Sequence, residues 1–155
     1  MKVLARQMVW SRKVMIKQLS QEQSRELLRR ERIGRLGCIA GDEPYVVPVS
    51  YIFDGESAYM HSLPGHKIYA MRAHPRVCLQ VDEIEDDLRW KSVLAFGHYE
   101  EIKNQDERAR ALAFLLSRFP QLTPVESFIV EDAGAPAPIV FRIRISRLTG
   151  ICEGD

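Results

Sequence analysis

The fold is decided by residues 61–81, which read HSLPGHKIYAMRAHPRVCLQV. A strand is predicted to end at Ser62, and the chain then turns through residues 63–65, LPG, before the basic pair His66-Lys67. A short helix begins at this pair and ends before Pro75, because proline disfavours a helical residue in front of it. The first turn of a helix presents free backbone N–H groups and a partial positive charge, and the lysine adds a cation. The stretch therefore predicts a binding site for a phosphate group.

Length and composition indicate one globular domain. The chain has 155 residues, of which 46% are hydrophobic and 28% are charged, close to the average for folded domains. A formal net charge of +1 argues against binding to nucleic acid or to a membrane surface by electrostatics. We expect residues 1–19 to form an N-terminal arm and residues 20–155 a single domain. Basic residues interrupt every apolar stretch of the arm, so no signal peptide is expected and the predicted location is the cytoplasm.

Two longer helices are predicted outside the opening stretch. Residues 20–23, SQEQ, have the form of a capping box, in which Ser caps the helix and Gln lies three residues on, and this helix is expected to reach about Arg32. A later helix is capped by Asn104 or Asp106 and runs to Phe119, with leucines at helical spacing. Both helices are expected at the periphery of the domain.

Strand signals occupy most of the remaining chain. Runs rich in β-branched and aromatic residues predict six strands, at residues 35–40, 45–53, 57–62, 76–81, 90–102 and 139–148. Pro48 interrupts the second strand and indicates a sheet edge or a bulge, and Gly97 indicates a bulge or a point of close approach in the fifth. Because hairpins join most of these strands, the fold class is mostly β with peripheral helices, a six-stranded antiparallel barrel.

Two loops and the cysteines are the remaining features of the sequence. Residues 82–87, DEIEDD, are predicted as an acidic loop that serves solubility, and residues 120–138 as a loop long enough to have a role. The three cysteines form no CxxC pair, so neither a disulfide framework nor a zinc site is indicated. No cysteine or carboxylate lies at ligand spacing beside the four histidines, so no metal is expected.

Four segments resemble, in order and spacing, the flavin-binding split-barrel family of pyridoxamine 5′-phosphate oxidase. The resemblance is closer to its branch of flavin-nucleotide-binding and nitroimidazole-resistance-like proteins. The segments are residues 26–38 (ELLRRERIGRLGC), 43–51 (EPYVVPVSY), 59–81 (YMHSLPGHKIYAMRAHPRVCLQV) and 90–102 (WKSVLAFGHYEEI). The resemblance implies a split β-barrel, an FMN cofactor, and a homodimer that holds each flavin at the subunit interface.

The resemblance also implies a role for individual residues. The phosphate would be held by His66 and Lys67, after Gly65. The second-strand segment would lie along the isoalloxazine and the ribityl chain, with His61 and Ser62 beneath the ring and the phosphate. This segment comprises Val47, Pro48, Val49 and Ser50. Trp90 and Ser92 would close over the flavin.

Each of these residues also has a plainer interpretation. His61 fits equally well as a hydrogen-bonded core or interface histidine, and Trp90 as a residue that fills space. Ser50 and Ser92 fit as residues that satisfy polar groups near strand ends. The functional interpretation depends on whether the structure brings the residues together.

The implied activity is that of an FMN-dependent oxidoreductase acting on a small, flat substrate such as a nitroaromatic compound. His61 and His66 are the candidate catalytic residues, and the sequence does not choose between them. The C-terminal Trp and Arg that pyridoxamine 5′-phosphate oxidases use are not recognisable, which argues against oxidation of pyridoxamine phosphate. The alternatives are a non-catalytic flavin-binding or redox-sensing module, and haem or deazaflavin binding on the same barrel.

Overall fold

The computed structural model describes residues 15–120 and 138–154, which contain three helices and eight strands. The helices are Gln21–Arg30 (α1), His66–Ala73 (α2) and Gln105–Arg118 (α3). The strands are Lys17–Gln18 (β1), Ile33–Ala40 (β2), Glu43–Ser50 (β3), Ile52–Phe53 (β4), Ser57–Ser62 (β5), Arg76–Asp86 (β6), Arg89–Glu101 (β7) and Ile139–Glu153 (β8). Most of the predicted arm, and all but the ends of the predicted 120–138 loop, lie outside the described residues.

All of these strands belong to one antiparallel sheet. The order is β3-β2-β6-β7-β8-β5-β4, and β1 pairs separately with β8. The two end strands β3 and β4 do not pair with each other, so the sheet is open, as in a split barrel. The predicted fold class is therefore confirmed, although the strand count is eight rather than six.

The predicted second strand, residues 45–53, is wrong in one respect because it breaks at Tyr51. The Tyr51 N–H donates to the Arg32 carbonyl at 3.1 Å, and its buried hydroxyl donates to the Leu28 carbonyl at 2.6 Å. These bonds tie the residue to the end of α1 instead of to the ladder. The chain after Tyr51 forms β4, which pairs with β5 around the predicted Asp54-Gly55 turn.

The predicted acidic loop is also wrong, because residues 82–86 extend β6 and only Asp87 and Leu88 form the turn. Cationic neighbours stabilise these acidic side chains in a strand. Arg35 donates to Asp82 at 3.1 Å, and Lys91 donates to Glu83 at 3.3 Å. A run of like charges can therefore lie in a sheet when its cross-strand partners have the opposite sign.

Predicted helix caps are confirmed. The Ser20 hydroxyl accepts from the Gln23 N–H at 3.1 Å, while the Gln23 side chain accepts from the Ser20 N–H at 2.9 Å, which completes the capping box at α1. At α3 the cap is Asn104, whose side chain accepts from the Glu107 N–H at 3.0 Å. The cap thus leaves the alternative, Asp106, inside the first turn.

The structure confirms the predictions made for Pro48 and Gly97. Pro48 lies in β3 at the sheet edge, where a missing N–H donor costs little. The pairing of β7 with β8 shifts its register at Gly97. A Cβ atom there would collide with the Arg144 carbonyl, so the close approach of the two strands requires glycine.

The sheet has two faces of very different character. The inner face packs against α1 and α2 in a core that includes Leu28, Leu36, Ile68, Met71, Leu79, Val93, Phe141 and Ile143. We call the opposite side of β3, β2, β6 and β7 the outer face. Apolar side chains on it are open to solvent, with Val46 at 63% and Ile84 at 68% exposure. Among the described residues, no helix is long and apolar enough to cross a membrane.

Candidate cofactor site

The corner between β5 and α2 is the centre of the predicted site. Gly65 caps α2, and no side chain there accepts a bond from the first-turn N–H groups. Among the described residues, a Cβ atom added to Gly65 would meet only the Leu63 carbonyl oxygen, at an ordinary 3.9 Å. Since these residues leave the space open, the corner can admit a ligand atom close to the helix N-terminus.

Lys67 lies in this first turn and is half-buried. Burial lowers the pKa of its ammonium group, because a charged form is less stable where water is partly excluded. An anion beside the ammonium would offset this cost. The corner therefore fits a phosphate group through two independent features, a helix N-terminus and a half-buried cation.

His61 lies beside Lys67 at the end of β5. Burial lowers the pKa of its imidazole, and the positive charge of Lys67 lowers it further. At neutral pH the ring is therefore mostly neutral and able to accept a proton. The neighbouring Ser62 hydroxyl donates to the Leu63 carbonyl at 2.9 Å, within the turn that leads to the helix.

His66 connects the corner to the edge strand. Its ring meets the Tyr45 ring edge-on, with the centroids 4.8 Å apart and the planes at 71°. The beginning of β3 is therefore held against the beginning of α2. His66 itself is exposed, so it can reach a ligand at the mouth of the corner.

Alternation along β3 separates the four predicted ring contacts into two pairs. Val47 and Val49 pack against the core, so only their backbone groups can face a ligand. Pro48 and Ser50 point to the outer face and are exposed. Among the described strands β3 lies at an edge, so part of its backbone has no partner there and can bond a polar ring edge.

Trp90 and Ser92 lie at the other end of the sheet. Ser62 pairs with Ile139 at the start of β8, whereas Trp90 pairs with Glu153 at the end of that strand. The Trp90 indole donates to Glu153 at 2.8 Å, and the Ser92 hydroxyl accepts from Gln80 at 3.1 Å. A single subunit thus brings together His61, Ser62, Gly65, His66 and Lys67 beside β3, but not Trp90 and Ser92.

Three clefts on the described part of the subunit lie away from this corner. A cleft of about 460 Å³ runs between α1 and Lys91, one of about 360 Å³ lies beneath α3, and one of about 480 Å³ lies beside β8. Neither His61 nor Lys67 lines any of the three.

Two features of this surface were not predicted from the sequence. One is Tyr45, which fixes His66 although it lies outside the predicted ring contacts. The other is a polar network on the outer face, where Arg35 donates to Asp82 at 3.1 Å and Gln80 donates to Asp82 at 3.0 Å. The contacts of Tyr45 with His66 and of Arg35 with Asp82 join residues far apart in the chain, so they depend on the tertiary structure.

Comparison with known proteins identifies the family. The family model described as pyridoxamine 5′-phosphate oxidase matches residues 20–151. The chain belongs to this family. An uncharacterised protein of Rhizobium meliloti strain 1021 is 34% identical over 152 residues, which cover 90% of this chain and 98% of the relative.

Two solved structures share the fold. The crystal structure of an FAD-binding protein from Mesorhizobium loti is 33% identical, with a TM-score of 0.72, and the match covers 92% of this chain and 99% of that one. A candidate 5-nitroimidazole antibiotic resistance protein from Bacteroides thetaiotaomicron is 17% identical, with a TM-score of 0.71, covering 91% and 89%. At that identity the second likeness concerns the fold alone.

Proposed function

We propose that this protein is a flavin-dependent oxidoreductase that binds FMN, or the FMN portion of FAD, through the corner between β5 and α2. The observation that carries this proposal is the half-buried ammonium of Lys67 in the first turn of α2, where no side chain caps the helix. A phosphate is the anionic group common to both flavins. The FAD-binding protein of Mesorhizobium loti, at 33% identity, supports a flavin of either kind.

The residues around the corner have different roles in binding the flavin. Lys67 and the first-turn N–H groups of α2 hold the phosphate, and His66 adds a hydrogen bond at its exposed side. The edge of β3 orients the ring, with Pro48 against its face and Ser50 near its polar side. The bound flavin would supply the electron transfer itself.

His61 is the better placed of the two histidines to handle a proton. Its lowered pKa keeps it neutral at pH 7, so it can accept a proton near the bound ring or from substrate. His66 stays the second candidate, because it is exposed at the mouth of the corner. A small, flat acceptor such as a nitroaromatic compound fits a ring left open on one side.

The complete site requires a homodimer. Trp90 and Ser92 lie too far along the sheet to reach the flavin of their own subunit, as their pairing with Glu153 and Ile151 indicates. Ser92 projects from the same outer face as Ser50, and exposed apolar side chains surround both. A second copy packed on this face would bury those side chains and bring Ser92 of the partner subunit towards the ring.

The absorption spectrum of the purified protein tests this function. Flavin bands are expected, together with oxidation of NADH or NADPH when a nitroaromatic acceptor is added. Flavin bands without any such turnover would favour the non-catalytic binding module. A haem Soret band, or a colourless protein that binds neither FMN nor FAD, would refute the proposal.

A further inference from the structure

Three basic side chains form a row across adjacent strands, which begins at one end of the outer face and continues onto β8. Arg76 on β6 pairs with His98 on β7, which in turn pairs with Arg144 on β8. We call these three residues the basic row. Directly paired residues project from the same face with their Cβ atoms about 5 Å apart, so Arg76 and Arg144 flank the His98 imidazole. All three side chains are exposed on a single subunit.

Arg147 extends the row towards β1. It pairs with Phe96, and its guanidinium lies over the Phe96 ring at 4.0 Å from the centroid. This stacking holds the guanidinium on the same face as the row. The cleft of about 480 Å³ beside β8 is lined by Arg25, Arg144 and Arg147, with Glu56 as its one acidic residue.

Carboxylates do not balance this charge. Glu100 accepts hydrogen bonds from both Arg142 and Arg144, and Glu107 accepts one from Arg142, so these two acids are engaged by Arg142 and Arg144. Within the described ranges, neither Arg76 nor Arg147 forms a salt bridge with a carboxylate. The surface therefore carries a local positive excess, although the net charge of the whole chain is only +1.

We propose that the basic row, together with Arg147, binds the diphosphate group of a nucleotide. Guanidinium groups match phosphate oxygens with paired N–H donors. The row crosses two interstrand spacings, roughly 10 Å, which is wide for one phosphate and suits two. It begins beyond the C-terminal end of α2, whereas Lys67 lies at the other end of that helix, so the two phosphate sites are separate.

We expect the diphosphate to belong to a soluble nucleotide and not to the flavin. The two phosphates of FAD share one bridging oxygen, so a flavin phosphate held at Lys67 keeps its neighbour away from the separate basic row. A soluble dinucleotide that delivers electrons to the flavin has the required group. This part of the inference rests on the proposed function, whereas the binding of diphosphate by the row does not.

Calorimetric titration of the purified protein with inorganic pyrophosphate tests the surface directly. The wild type should bind pyrophosphate, and Arg76→Gln/Arg147→Gln should bind it at least about tenfold more weakly, because two charged donors are lost. Arg89→Gln is the matched control, since Arg89 is an exposed arginine at the far end of the same sheet, and it should bind like the wild type. Absent binding in the wild type, or equal binding in all three proteins, overturns the proposal.

Two further readouts test this assignment. Weaker binding of ADP by the double variant, with an unchanged flavin content, supports a soluble nucleotide. A fall in the FAD share of the acid-released flavin in the double variant would place the flavin diphosphate at the row and contradict the assignment. Unchanged ADP binding would contradict it as well. A colourless protein that still binds pyrophosphate through the row would refute the proposed function and leave this inference standing.

Discussion

The two faces of the central strands differ although alternating residues of the same strands form them. On the inner face, Leu36 and Leu79 are 0% exposed and pack against the helices. On the outer face, Val46 and Ile84 are more than 60% exposed, and no described helix covers them. The inner face is stabilised within one subunit, whereas the outer face exposes apolar area that a second subunit would bury. Stability and cofactor binding are therefore expected to respond to different substitutions.

Substitutions on the inner face should have the largest effect, a loss of folding stability. Leu36→Ala removes a fully buried side chain from β2 and leaves a cavity, so the free energy of unfolding should fall by about 2–5 kcal/mol. Urea unfolding followed by circular dichroism measures this change. A loss below about 1 kcal/mol would mean that the inner face is not the core described here.

Substitutions on the outer face should weaken the proposed dimer rather than lower the free energy of unfolding. Val46→Asp places a charge on β3 where the proposed partner would exclude water, so the dimer dissociation constant should rise at least about tenfold. Light scattering over a concentration series measures it. Leu116→Asp on α3, another exposed apolar position, is the control and should leave the dimer unchanged. Equal dissociation constants for the two variants would place the interface elsewhere.

The smallest expected effect is on the way that folding stability depends on pH. The folded pKa of His61 lies below its unfolded value of about 6.5, so the unfolded chain binds more protons in the window below that value. Stability from this group is therefore present above pH 6.5 and is lost as the pH falls through that window. His61→Gln should flatten the fall in melting temperature between pH 7 and pH 5.5. An identical pH profile in the variant would contradict the lowered pKa.

Local sequence signals were enough to predict much of the fold. The Ser20 capping box, the Asp54-Gly55 turn and the Pro48 edge depend on a few neighbouring residues, and all three are confirmed. The break at Tyr51 was missed because it depends on a bond to the distant Leu28 carbonyl. The strand at residues 82–86 was missed because Arg35 and Lys91, which compensate its charge, lie elsewhere in the sequence.

The candidate site was predictable only in part for the same reason. Residues 61–67 are contiguous, so the sequence places His61 and Lys67 together without knowledge of the sheet. The position of Trp90 and Ser92 depends on the register of β7 with β8. The exposed apolar outer face depends on which side of each strand faces α1 and α2, and single-strand alternation does not distinguish the core from a subunit interface.

Flavin affinity in Lys67 variants tests the central claim most directly. Lys67→Met removes the half-buried cation but keeps the length of the side chain, whereas Lys67→Arg keeps the positive charge. Fluorescence titration of the flavin-free proteins with FMN and FAD should show at least about tenfold weaker binding in Lys67→Met, from loss of a charged hydrogen bond, and near wild-type binding in Lys67→Arg. If Lys67→Met binds both flavins as tightly as the wild type, the phosphate does not lie at this corner.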